Sequence, residues 1–134
     1  MNKRVLLHII LFVLIFGCDN IKDEKQVPFE KLSSDVTGIK FSNIITPDIE
    51  TSENLFDYDY FYNGSGVGIA DINNDGLKDV LFTANQEMNR LFLNKGNLTF
   101  EDISESSNIN SKNKKWSSGI TFADVNNDGW LDIY

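Results

Sequence analysis

The chain has 134 residues, a formal net charge of −8, 12% aromatic residues and only two prolines. Twenty acidic side chains against 12 basic ones argue against a nucleic-acid partner, whose phosphates demand clustered Lys and Arg. The single cysteine, Cys18, and the single histidine, His8, both lie near the N-terminus. That excludes an internal disulfide and leaves no Ser-His or Cys-His catalytic arrangement downstream.

Residues 1–17 carry Lys3 and Arg4, then an apolar run over 5–16 broken only by His8. The run is shorter than the roughly 20 apolar residues that cross a bilayer. It fits the h-region of a secretory signal peptide behind a positive n-region. It closes on Phe16-Gly17-Cys18, which looks like a bacterial lipobox. The expectation is that Cys18 is lipidated, becomes the mature N-terminus and anchors the protein in a membrane. A buried structural cysteine is the alternative, and Phe16 is bulkier than most residues at that lipobox position. Residues 19–26 are polar apart from Ile21, so 18–27 read as the lipidated end and a flexible tether. Within them Lys22-Asp23-Glu24 resembles the short acidic export signal of surface lipoproteins in some Gram-negative bacteria, or is plain linker. The expected location is the outer membrane, facing outward.

Residues 28–134 read as the folded region. Phe29-Glu30-Lys31-Leu32-Ser33, leading to Gly38-Ile39, is echoed by Phe100-Glu101-Asp102-Ile103-Ser104, leading to Asn108-Ile109. Gly or Asn before Ile predicts a left-handed or turn residue in both copies. Between these, residues 54–62 alternate Phe56, Tyr58, Tyr60 and Tyr62 with Leu55, Asp57, Asp59 and Phe61. That period predicts a strand with an aromatic face, which either packs in the core or stacks on sugar rings. Asn63-Gly64-Ser65-Gly66 then predicts a turn.

Asp71-Ile72-Asn73-Asn74-Asp75-Gly76-Leu77-Lys78-Asp79 follows, and it recurs as Asp124-Val125-Asn126-Asn127-Asp128-Gly129-Trp130-Leu131-Asp132. Oxygen-bearing side chains on alternate residues of a tight turn converge on one point. Ca²⁺ takes six to eight oxygens at about 2.3–2.6 Å and tolerates irregular geometry, so it is the expected guest. The predicted ligands are Asp71, Asn73, Asp75, Asp79 and the backbone carbonyl of Leu77. Their equivalents are Asp124, Asn126, Asp128, Asp132 and the carbonyl of Trp130. Gly76 and Gly129 permit the positive φ that doubles the loop back on the ion. A plain turn would explain Asn-Asn-Asp-Gly but not the Asp residues at both ends. An EF-hand needs a bidentate Glu at the twelfth position, which is Phe82 here, and helical flanks. The flanks are instead short β-branched or aromatic runs, Val67-Gly68-Ile69-Ala70 and Val80-Leu81-Phe82, then Ile120-Thr121-Phe122-Ala123 and Ile133-Tyr134. They predict strand–loop–strand units. Arg90-Leu91-Phe92-Leu93 and Leu98-Thr99-Phe100 flank Asn94-Lys95-Gly96-Asn97 as a hairpin. Residues 104–115 read as loop.

Gly66-Val67-Gly68-Ile69-Ala70-Asp71, the Asn-Asp-Gly loop and Asn89-Arg90-Leu91-Phe92-Leu93-Asn94-Lys95-Gly96 resemble the FG-GAP/VCBS repeat, whose calcium loop is similar to that of integrin-type propellers. Residues 100–104 and 116–134 continue the likeness into a second repeat. With the lipobox, the chain resembles the N-terminal part of bacterial VCBS-repeat surface lipoproteins. The resemblance implies an all-β fold of antiparallel β-propeller repeats, about two blades of a seven-bladed propeller, with calcium in loops between strands. Two blades cannot close a propeller, so the expectation is an N-terminal fragment.

Two functions compete. One is a calcium-binding cell-surface lipoprotein that acts as a non-enzymatic scaffold or recognition module for a glycan or protein ligand. The other is a non-catalytic or carboxylate-based part of a larger carbohydrate-active enzyme, which needs two carboxyl groups about 5–10 Å apart. The conspicuous carboxylates are already assigned to Ca²⁺, which favours the first.

Overall fold

The computed structural model describes residues 29–110 and 116–134. The predicted signal peptide at 1–17, Cys18 and the tether at 18–27 lie outside the described residues. The chain divides into two compact units, Met1–Lys31 and Leu32–Tyr134, and everything below concerns the second. Among the described residues no helix is long and apolar enough to cross a membrane.

The unit opens with one helical turn, α1 (Ser34–Thr37). It ends at Gly38, whose φ of 78° lets its N–H bond back to the Ser34 carbonyl. A Cβ on Gly38 would lie 2.5 Å from the backbone oxygen of Phe100, so the turn packs directly on the chain there. The sequence echo holds in shape, since Asn108 also adopts a positive φ of 54°.

Four strands follow as an antiparallel meander in the order β1 (Val67–Ala70), β2 (Asp79–Phe82), β3 (Arg90–Asn94), β4 (Phe100–Asp102). Register sets Gly68 opposite Leu81 and Leu81 opposite Leu91, while Val80 faces Phe92. Alternation along the pleat sends these two rows to opposite faces. Both faces carry apolar packing over β2 and β3, while Val67 and Ile69 of β1 stay exposed. On one, Phe92 is buried, Phe82 stands edge-on to it at 6.0 Å, and Phe41 stacks on Phe82 at 4.8 Å. On the other lie the buried Leu81 and Leu91. The β3–β4 hairpin matches the predicted one, except that Leu98 and Thr99 belong to its turn, with positive φ at Gly96, Asn97 and Leu98.

A two-stranded ribbon, β5 (Phe122–Ala123) with β6 (Asp132–Ile133), completes the unit. Reciprocal backbone bonds between Thr121 and Tyr134, at 2.8 and 3.0 Å, extend it by one pair. The ribbon's lead-in packs against β1 through glycine. A Cβ on Gly66 would lie 2.5 Å from the Ser118 carbonyl oxygen, and one on Gly68 would meet the Phe122 ring. Gly66 therefore serves close approach of backbone to backbone, and Gly68 makes room for the Phe122 and Ile120 side chains.

The aromatic strand predicted over 54–62 does not form. That segment is a run of turns, with Tyr58 N–H bonded to Asn54 O, Phe61 N–H to Tyr58 O and Asn63 N–H to Tyr60 O. The cause is Asn54, 3% exposed, whose side-chain oxygen accepts the N–H groups of Phe56 and Asp57 and so coils the chain. The aromatic face expected to pack is not buried either. Phe56, Tyr60 and Tyr62 are exposed, whereas Phe61 is fully buried against Trp116, ring centroids 5.3 Å apart.

Candidate metal centre

Both Asn-Asn-Asp-Gly loops connect paired antiparallel strands, β1 to β2 and β5 to β6. Their internal bonds match atom for atom. In the first, Asp71 accepts the N–H of Asp75 at 3.1 Å and of Gly76 at 2.8 Å, one on each oxygen. Asn73 accepts the Asp75 N–H at 3.2 Å and donates to the Asp75 carboxylate at 2.9 Å. Asp75 in turn accepts the Leu77 N–H at 2.8 Å, and Asp79 the Ile72 N–H at 3.0 Å. In the second, Asp124 accepts from Asp128 at 3.1 Å and Gly129 at 2.9 Å. Asn126, Asp128 and Asp132 repeat the remaining bonds, to Asp128, Trp130 and Val125 respectively. The backbone matches as well, with φ of 58° and 86° at Asn74 and Gly76 and of 60° and 88° at Asn127 and Gly129. The positive φ expected at both glycines is present, and Asn adopts it one residue earlier, as a short polar side chain can.

At Asp75 and Asp128 these bonds favour the ionised carboxylate. The Leu77 N–H and then the Asn73 amide hold Asp75 below the usual carboxylate range, and the Trp130 N–H and Asn126 amide do the same for Asp128. Among the described residues, no three His, Cys, Asp or Glu side chains converge closely enough to hold a metal by themselves. The loop N–H groups face the carboxylates instead. An ionised carboxylate has about four lone-pair sites, and each oxygen described above accepts one bond, so acceptor capacity remains on all three acids. An all-oxygen set of three carboxylates, one amide and a carbonyl has the chemistry a hard cation requires, and in that respect the residues fit Ca²⁺.

Two partners of the loops escaped the sequence reading. Asn74 donates to the Gly129 carbonyl at 3.0 Å and so joins the two loops directly. Asn94 gives its backbone N–H to Asp79 at 2.8 Å and its side-chain amide to the Lys78 carbonyl at 2.9 Å. The second has a signal in the sequence, Asn94 of the Asn-Lys-Gly hairpin turn.

A family model for the FG-GAP-like repeat matches residues 71–134. The match spans both loops, the β3–β4 hairpin and the ribbon. Over residues 71–134 the chain is therefore similar to the FG-GAP-like repeat, and the antiparallel sheets of the described residues are consistent with propeller blades. No curated protein and no solved structure matches the chain.

Proposed function

We propose that the protein is a calcium-stabilised, non-enzymatic binding or scaffold module displayed at a cell surface. The observation that carries this reading is the duplicated loop, the same acids in the same hydrogen-bond frame on two strand pairs. Asp71, Asn73, Asp75, Asp79 and the Leu77 carbonyl would hold one Ca²⁺. Asp124, Asn126, Asp128, Asp132 and the Trp130 carbonyl would hold the other. The ion supplies positive charge where three carboxylates crowd one turn, and so locks the connection between paired strands. At about 2 mM free calcium and a dissociation constant of about 0.1 mM, mass action adds about 1.8 kcal/mol of stability per loop.

The test is a thermal melt of the full chain in EDTA and in calcium. A calcium-dependent rise in Tm is expected, with Asp75→Ala and Asp128→Ala each removing one loop's share. No calcium-dependent shift overturns the metal reading. Surface display rests on the lipobox-like Phe16-Gly17-Cys18. Cys18→Ser should abolish fatty-acid labelling and release the protein from membranes, and a labelled variant would refute the anchor.

A further inference from the structure

The two Asn-Asn-Asp-Gly loops meet at one hydrogen bond, from the Asn74 side-chain amide to the Gly129 carbonyl at 3.0 Å. Among the described residues no other hydrogen bond runs from one loop to the other. Each end of this bond sits beside expected metal ligands. Asn74 stands between Asn73 and Asp75, so ordering those two fixes the backbone that carries its amide. At the far end, the Gly129–Trp130 peptide group is clamped from both sides. Its carbonyl accepts from Asn74, and its N–H donates to Asp128 at 2.9 Å. The Trp130 carbonyl, an expected ligand of the second loop, belongs to the next peptide group. The corresponding Gly76–Leu77 group has, among the described residues, the inner clamp alone, from the Leu77 N–H to Asp75 at 2.8 Å.

A bond that requires both loops to hold their shape favours their ordered states together. Ordering the first loop fixes the Asn74 amide, and the amide then holds the peptide next to the second loop's carbonyl ligand. That ordering no longer opposes filling of the second loop. Charge acts the other way. A filled loop has lost part of the negative field that draws a cation to its neighbour, an effect that salt screens. The hydrogen bond is short-ranged, so its share survives at high salt.

We propose that Asn74 couples the two loops, so that filling the first with a divalent cation raises the affinity of the second. This regulation of the loops deepens the calcium reading above and rests on it. One solvent-exposed hydrogen bond limits the coupling to between about twofold and tenfold, and about fourfold is expected. The consequence is that the two strand connections lock together over one range of calcium concentration.

Trp130 lies in the second loop, and Leu77 stands at its place in the first. Tryptophan emission in a Trp116→Phe background therefore reports the second loop alone. The experiment titrates that full chain with calcium in about 0.15 M and about 1 M salt, with calorimetry following the same midpoints. Disabling the first loop by Asp75→Ala should raise the calcium midpoint of the second about fourfold. The same step in Asn74→Gly, which tolerates the positive φ but lacks the amide, should raise it less than about twofold. Asn127→Gly, the matched change in the second loop, should leave the fourfold step intact. Asn74→Gly with both loops whole should also raise the second loop's midpoint, a test that needs no disabled loop. Reciprocity requires Asp128→Ala to weaken the first loop by the same factor, read by calorimetry. The step should persist at the higher salt. The proposal falls if Asp75→Ala leaves the second loop's midpoint unmoved or lowers it. It falls equally if the step is as large without the Asn74 amide, which would place the coupling in the packing at Gly66 and Gly68. Two loops that bind calcium independently would refute the coupling alone. No calcium binding at either loop would refute the calcium reading and the coupling with it.

Discussion

The two Asn-Asn-Asp-Gly loops share their backbone and their internal hydrogen bonds, yet the sheets beneath them differ. The first closes a strand pair inside a four-stranded meander, the second a two-stranded ribbon. The difference is concentrated in the ninth residue. Asp79 is 1% exposed and bridges two backbone N–H groups, from Ile72 in its own loop and Asn94 at the end of β3. Asp132 is half-buried, and among the described residues it accepts from Val125 alone. The loop itself is thus a local product of its nine residues. What the loop's last acid does depends on whether a neighbouring strand lies close enough to use its second oxygen.

The strongest way to break this comparison is to remove that acid in each copy. Asp79→Ala leaves two N–H groups without their acceptor, at about 1–3 kcal/mol for each group left buried, so a loss of about 3 kcal/mol is expected. Asp132→Ala should cost about 1 kcal/mol, because one bond is lost and water can replace it. Urea unfolding of the two variants in EDTA, where calcium cannot contribute, measures the difference. Equal losses would mean that the Asn94 contact is energetically idle.

A smaller effect tests how far the two sheets depend on each other. Gly66→Ala forces a methyl group onto the Ser118 carbonyl, where backbone must move, and about 2 kcal/mol is expected. Gly119→Ala meets nothing within 4 Å and should be close to neutral. The informative readout is amide exchange at Thr121 and Tyr134, whose mutual bonds close the ribbon. Exchange there should accelerate in the Gly66 variant and not in the Gly119 variant. Unchanged protection would show that the ribbon holds without the meander.

What could be read from the sequence follows the same division between local and tertiary causes. The loops, their glycines and their flanking strands were legible because Asp, Asn and Gly act on backbone groups a few residues away. The β3–β4 hairpin was legible for the same reason, through its Asn-Lys-Gly-Asn turn. The 54–62 segment departs from its period-two aromatic pattern because Asn54 bonds the backbone of the next residues. Asn followed three residues later by Asp is itself a turn signal, and here the Asn54 amide bonds to the Asp57 carboxylate at 2.6 Å. Once the chain coils there, alternation no longer predicts a face, and Phe61 and Tyr58, from opposite sides of the predicted strand, both reach Trp116. The Gln86–Thr46 and Asn43–Asn85 contacts join residues far apart in the chain, so no spacing rule could announce them.

The mildest test concerns how the meander is closed on its outer side, where the ribbon has no counterpart among the described residues. A relay runs from the Leu91 N–H to the Ser104 hydroxyl and from that hydroxyl to Asp102, which also pairs with Arg90 at 3.2 Å. Partial burial opposes ionisation of Asp102, but the Ser104 hydroxyl and N–H, and then Arg90, outweigh it and hold the carboxyl below the usual range. A depressed folded-state pKa contributes stability above the unfolded value of about 3.9, and that contribution disappears as pH falls through the lower folded value. Asp102→Asn should therefore cost about 1 kcal/mol at pH 7, discounted for the exposure of the Arg90 pair. The gap between wild type and variant should close as the pH falls below the usual carboxylate range. Half-molar salt should shrink only the Arg90 share, since the Ser104 bonds are short-ranged. Urea midpoints of both proteins across that pH range decide the matter, because a gap that stays constant into acid would assign the stabilisation to shape and not to charge.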